Sequence, residues 1–265
     1  MPRKVLPELR KNACTISVMK IIISPAKQMK RREDMVPPES EPVFLDRAQE
    51  VLTWLKTLSY DEAKRLWRCS DKLAHANYEA LQNLELSQQL TPAVLAYDGI
   101  AFKYMAPSVF ETGQFSYVQE HLRILSGLYG ALRPMDGVVP YRLEMQAKAH
   151  VTGTRDLYEY WGNSLYREVI DNSRTLINLA SKEYSTTIER YLQPHDRFIT
   201  CTFAEKIDGR LVQKGVYCKM ARGEMVRFMA THNVTEPEQL ENFDSPDWRF
   251  APELSSPKEY VFLRR

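Results

Sequence analysis

Three short stretches of this 265-residue chain carry side chains from which an anion site could be built. Ser24-Pro25-Ala26-Lys27 follows the strand-like run KIII. Serine is a good helix N-cap and proline is favoured at the first helical position, so a helix is expected to start here with Lys27 in its first turn. A cation there opposes the helix dipole unless an anion lies near. Ser181-Lys182-Glu183-Tyr184 repeats the order after TLINLA. Free N–H groups at a helix start, with a lysine beside them, make a ready anion site. If the two strands are parallel neighbours, both junctions open on one edge of the sheet. Ordinary capping with snorkelling lysines would leave the same pattern. In the third stretch, Lys219, Arg222 and Gly223 share one face of a helix. A glycine inside a helix costs about 1 kcal/mol relative to alanine. Close approach of a ligand or of another helix would explain it equally.

A fourth stretch, RILSGLYGALRPMDGVVPYRLEM over 123–145, is crowded with turn formers and fixed charges. Gly127 and Gly130 flank Leu128-Tyr129, with apolar pairs on either side, which is the general form of a helix-hairpin-helix. Such a hairpin, with Ser126 and Tyr129 in it, presents backbone N–H groups to phosphate and gives affinity without base readout. Two residues rather than one separate the glycines, and Pro134 cuts the second arm short. Arg133 and Arg142 would add charge, beside Tyr141 and Glu144. No nucleophile elbow, Walker loop or dinucleotide glycine fingerprint occurs.

These residues need elements to hold them. KIII and TLINLA read as buried strands, and PAVLAYDGI over 92–100 as another. Apolar spacing predicts helices from about 44 to 86 in three pieces, over 114–126, over 156–170 with Gly162 inside, after Ser181, and over 219–232. Asp208-Gly209 between two strand-like runs predicts a type I′ hairpin. EYVFL reads as a last strand. The expected class is α+β, a mixed β-sheet wrapped by helices. Residues 19–265 would form one domain and residues 1–18 a flexible extension.

Composition narrows the function classes. The hydrophobic fraction is 44% and the net charge +2, so the chain is globular and no global field demands a polyanion. Charge is nonetheless uneven. Residues 20–34 hold five cations against two acids, 206–227 six against two, and 231–260 two against seven. Four cysteines without a C-x-x-C pair argue against a disulfide scaffold or a cysteine zinc site. Five scattered histidines give no metal site local support, and no metal or cofactor is expected. No apolar run reaches about 18 residues and no signal peptide is evident, which points to a soluble cytoplasmic protein without membrane partners.

In this order, IIISPAK, LRILSGLYGALRP with PYRLEM, LYEYWG, INLASKEY and KMARGEM resemble the peroxide stress protein YaaA family, from Met19 to near the C-terminus. Tyr97-Asp98-Gly99-Ile100 departs from the Asn-Gly-Asp order usual after that family's second strand. The resemblance implies a mixed sheet wrapped by helices, a basic cleft and a helix-hairpin-helix-like element. It also implies a part in the hydrogen peroxide response that limits free iron and protects DNA. The expected partner is DNA, bound without sequence preference in a groove of Ser24, Lys27, the 126–133 hairpin, Arg142, Ser181, Lys182, Lys219, Arg222 and Gly223, with Glu144 orienting an arginine. The competing reading is an enzyme acting on a small anionic or nucleotide-like substrate in the same cleft, with Lys27 or Lys182 as base or stabiliser. Direct iron sequestration finds no ligand spacing. An extended basic surface would favour DNA; a deep pocket with buried polar groups would favour the small ligand.

Overall fold

The computed structural model describes residues 18–32, 36–243 and 245–265, so the expected extension over 1–18 lies almost wholly outside the described residues. The chain opens with β1 (Lys20–Ile23), whose three isoleucines are buried. A long segment then leads to α1 (Leu45–Thr57), α2 (Tyr60–Trp67) and α3 (Asp71–Gln82). Ser59 starts α2 with a full capping box to Glu62. Next come β2 (Thr91–Pro92), α4 (Ala93–Ala96), α5 (Ile100–Met105), α6 (Thr112–His121), β3 (Leu122–Ser126), β4 (Gly130–Leu132) and β5 (Gly137–Val138). The second half holds α7 (Leu157–Trp161), α8 (Ser164–Val169), β6 (Thr175–Leu179), α9 (Lys182–Glu189), β7 (Arg197–Ile207), β8 (Arg210–Val212), α10 (Gly215–His232), β9 (Trp248–Phe250) and β10 (Glu259–Arg264).

The main sheet runs β4-β3-β1-β6-β7-β10-β9, with β8 paired to the far end of β7. It is mixed, as expected. Its five inner strands, β3 to β10, are all parallel, however, so the architecture is α/β in character rather than α+β. The antiparallel pairs sit at the edges and at the Asp208-Gly209 hairpin, where both residues have positive φ as a type I′ turn requires. The near-continuous apolar runs of β1, β3 and β6 suit strands buried on both faces.

Several expectations are corrected. No helix follows Ser24-Pro25; the chain there crosses the sheet edge as a loop, tied by Lys30 N–H to Ala96 O at 2.8 Å and Asp98 N–H to Gln28 O at 2.8 Å. The stretch over 92–100 is mainly the short helix α4, not a strand. The helix expected over 114–126 ends at His121 and becomes β3. Gly162, with φ 51° and ψ −136°, splits the helix expected over 156–170 into α7 and α8.

The helix-hairpin-helix is also absent from its expected place, since residues 122–132 form the antiparallel β3–β4 hairpin. Its glycines serve packing instead. Gly130 has φ +76°, and a Cβ there would lie 2.8 Å from Leu165 Cδ2 and 2.9 Å from the Trp161 ring. At Gly127 a Cβ would lie 2.7 Å from Leu143 O. The glycines are needed because other chain segments come too close for a side chain, which a sequence cannot distinguish from close approach of phosphate.

Candidate ligand cleft at the C-terminal edge of the sheet

β1 pairs with β3 on one side and with β6 on the other, all parallel, so their C-terminal ends share an edge. From β1 the next strand in the sheet, β3, lies to one side; from β6 the next, β7, lies to the opposite side. The crevice between β1 and β6 is therefore a topological switch point, where open parallel sheets bind ligands. The two Ser-Lys junctions meet there. Ser24 Oγ and Ser181 Oγ are 3.1 Å apart, and Ser181 N–H donates to Ser24 Oγ at 2.8 Å.

A cleft of about 560 Å³ opens over this edge. Of the side chains expected to meet an anion, Ser24, Lys27, Tyr141, Arg142, Glu144, Ser181, Lys219 and Arg222 line it. Five cations and three carboxylates share its walls, because Lys103, Asp98 and Glu183 join them. Glu144 sits between Lys27 Nζ at 3.0 Å and Arg142 Nη2 at 3.7 Å. It thus pairs with both cations. Gly127 makes this possible by letting the Leu143-Glu144 backbone pass close beneath. On the facing lip, Asp98 pairs with Lys30 and, at 3.7 Å, with Lys103. Lys30 holds the Asp98 carboxyl below the usual range. Gly99 lets this lip close down, since a Cβ there would lie 2.6 Å from Ala26 Cβ.

The floor is tyrosine-rich. Tyr141 Oη lies 2.6 Å from Ser126 Oγ and 3.0 Å from Tyr97 Oη, and Tyr129 N–H donates to Ser126 Oγ at 2.8 Å. Burial raises the pKa of Tyr97, Tyr141 and Tyr184 above the ordinary phenol value, so all three are neutral donors at neutral pH. Glu183 accepts Gln146 N–H at 3.2 Å through Oε1. Burial, and then the charge of Glu144, raise its pKa above that of an ordinary glutamate.

Arg222 is the outstanding cation. It lines the cleft from α10, and its Nε is shielded from solvent without a hydrogen-bond partner. No carboxylate among the described residues pairs with it. The ionisable groups its charge feels are the thiols of Cys218 and Cys201. Burial pushes the Cys201 thiol up to about 12 and raises that of Cys218, so neither supplies a counter-charge at neutral pH. Arg142 Nε is likewise buried without a partner. Beside them, Ser181 sits at the N-cap of α9 with its side chain making no cap bond, because the hydroxyl is engaged with Ser24. Two orphaned guanidinium donors and an uncapped helix start thus border one cleft.

The remaining expected residues lie elsewhere. Ser126, Gly127, Tyr129 and Gly130 are buried behind the cleft, where Ser126 positions Tyr141. Arg133 Nε bonds Asp136 Oδ1 at 3.1 Å and its Nη2 bonds Glu41 O at 2.9 Å, outside the cleft. Lys182 is 79% exposed and pairs with Glu189. Gly223 faces α5, where a Cβ would lie 2.8 Å from Met105 N, so close helix packing accounts for it. The sequence reading missed Asp98, Lys103 and Tyr184 as cleft residues, and Tyr97 behind them as the partner of Tyr141. Asp98-Gly99 was a visible turn signal; the tyrosines look like any core aromatic.

A family model described as "Peroxide stress protein YaaA" matches residues 19–254. Similar curated proteins, each called "UPF0246 protein", include one from Agathobacter rectalis, 56% identical over 93% of this chain and 99% of its own length. One from Lachnoclostridium phytofermentans is 48% identical over 93% and 96%, and one from Lactiplantibacillus plantarum is 49% identical over 92% and 99%.

Proposed function

The chain belongs to the peroxide stress protein YaaA family, and on that footing we propose that it acts in the peroxide response by binding a small anionic ligand in the switch-point cleft. The observation that carries this reading is Arg222. Its Nε is shielded from water without a partner and no carboxylate among the described residues pairs with the guanidinium, so a ligand anion would supply the missing counter-charge. The cleft's size and buried polar floor suit a small molecule better than a duplex groove. Glu183 and the tyrosines give it groups able to hold or pass a proton, so an enzymatic role fits the same site.

We place the iron effect downstream of this ligand, because among the described residues no three His, Cys, Asp or Glu side chains gather as a metal-ligand set. Free thiols at Cys69, Cys201 and Cys218 suit a reducing cytoplasm. No helix among the described residues is long and apolar enough to cross a membrane.

Binding of pyrophosphate by calorimetry tests the reading. Arg222→Gln should weaken it at least tenfold while raising the thermal midpoint, because an uncompensated charge is removed. Lys182→Gln, outside the cleft, should change neither. In cells, Arg222→Gln should lose peroxide resistance at normal protein level. Undiminished pyrophosphate binding by Arg222→Gln would sink the proposal.

A second reading, binding of DNA across the cleft mouth, is favoured by one observation. The mouth is ringed by exposed lysines, Lys27 at 64%, Lys30 at 57% and Lys103 at 68%.

A further inference from the structure

A second hollow shares Lys27, Gln28, Tyr141 and Arg142 with the cleft but faces α1–α3. Its volume is about 270 Å³. Leu55, Leu81 and Leu84 form its apolar wall, and Trp67 at the end of α2 lines it. Trp67 is 5% exposed, and its indole Nε1 is buried without a hydrogen-bond partner. Indole N–H is a donor only, so it can be satisfied by an acceptor alone. The second orphaned donor here is Arg142 Nε. An apolar hollow, two unmet donors and a cationic edge specify an occupant that is flat, apolar on its faces, acceptor-bearing at its rim and anionic on the side toward Lys27. An apolar cavity of about 150 Å³ holds one benzene ring, so this hollow admits one fused ring system and little more.

We propose that the Trp67 hollow is a base subsite, taking the heteroaromatic ring of a nucleoside phosphate whose anionic end turns toward the cleft through Lys27 and Arg142. This rests on the reading of the cleft as an anion site, and it narrows the ligand from any small anion to a nucleotide. A ring nitrogen or carbonyl of the base accepts from Trp67 Nε1–H. The leucines cover its faces, as apolar walls do in most small-molecule sites.

The test compares three probes on the full chain: pyrophosphate, ADP and adenosine. ADP should bind at least tenfold more tightly than pyrophosphate, and adenosine should alter the tryptophan fluorescence. Ala80 is an exposed residue lining the hollow. Ala80→Phe should fill the hollow, bring ADP to within about twofold of pyrophosphate and abolish the adenosine response, with pyrophosphate binding unchanged. Trp67→Phe should do the same by removing the donor; if that variant does not fold, Ala80→Phe decides alone. The proposal is overturned if ADP gains nothing over pyrophosphate, if adenosine is silent, or if Ala80→Phe keeps the full ADP advantage. Adenosine binding without pyrophosphate binding would leave the subsite standing and remove the anion cleft, so the two readings fail separately.

Discussion

Glu183 shows how one side chain can set the pH response of the cleft. It faces Glu144, Lys27 beyond it and the Gln146 N–H. Its folded pKa is raised, so the fold favours its neutral form. The cost of its charge is fully present above that raised pKa and is relieved as pH falls through it. Asp98 runs the opposite way: Lys30 depresses its pKa, and its contribution to stability is lost only as pH falls through that lower value. Between the two values Glu183 is neutral while Asp98 still holds its lysines. An anion in the cleft should therefore bind more tightly as pH falls through the raised Glu183 value. Sulfate is the suitable probe because its own charge is constant there. Glu183→Gln should bind sulfate about tenfold more tightly at neutral pH, the effect of removing one nearby like charge, and should flatten the pH dependence. A Gln variant with the native pH profile would show that another group controls the cleft.

At the scale of elements, α10 against α5 is the contact that brings Lys219 and Arg222 to the cleft. Gly223 permits it: a methyl there would fall inside van der Waals contact with Ala101 O and lie 2.8 Å from Met105 N. Gly223→Ala should cost about 2–3 kcal/mol by overpacking, read as a lower urea midpoint with unchanged slope. A stability change within 0.5 kcal/mol would mean the helices have room to part. The Ser24 and Ser181 junctions were legible in sequence, because strand, serine and lysine repeat in order, and parallel pairing of β1 with β6 brings them together. The glycine roles were not. Gly127, Gly130 and Gly223 each mark a close approach, and only the fold says whether the near atom is Leu143 O, Trp161 or Ala101 O. The run over 122–132 misled for a related reason. Short apolar segments lack a decisive period, and β3 against β4 is settled by tertiary pairing. Tyr97 and Trp67 carried no sequence signal, since what sets them apart is a hydroxyl contact in one and an unmet N–H in the other.

At the scale of the molecule, the distribution of charge bears on nucleic acid. Lys27, Lys30, Lys103 and Lys219 stand around the mouth, and the first three already pair with Glu144 or Asp98. Duplex DNA held at this mouth can displace few counterions. The log–log salt slope should be no steeper than about −4, at roughly −0.9 per phosphate. A slope near −8 would locate the DNA surface elsewhere on the chain. The sheet order has a further consequence, for synthesis. β1 leaves the ribosome well before its partner β6, which lies 156 residues behind it, from Ile23 to Leu179. At about 5–20 residues per second, that strand waits roughly 8–30 s for its central neighbour. Its β6-facing edge stays unpaired through that interval even once β3 is made, a natural substrate for a ribosome-associated chaperone. The cleft, whose two halves hang on those strands, cannot exist in a nascent fragment that stops short of β6.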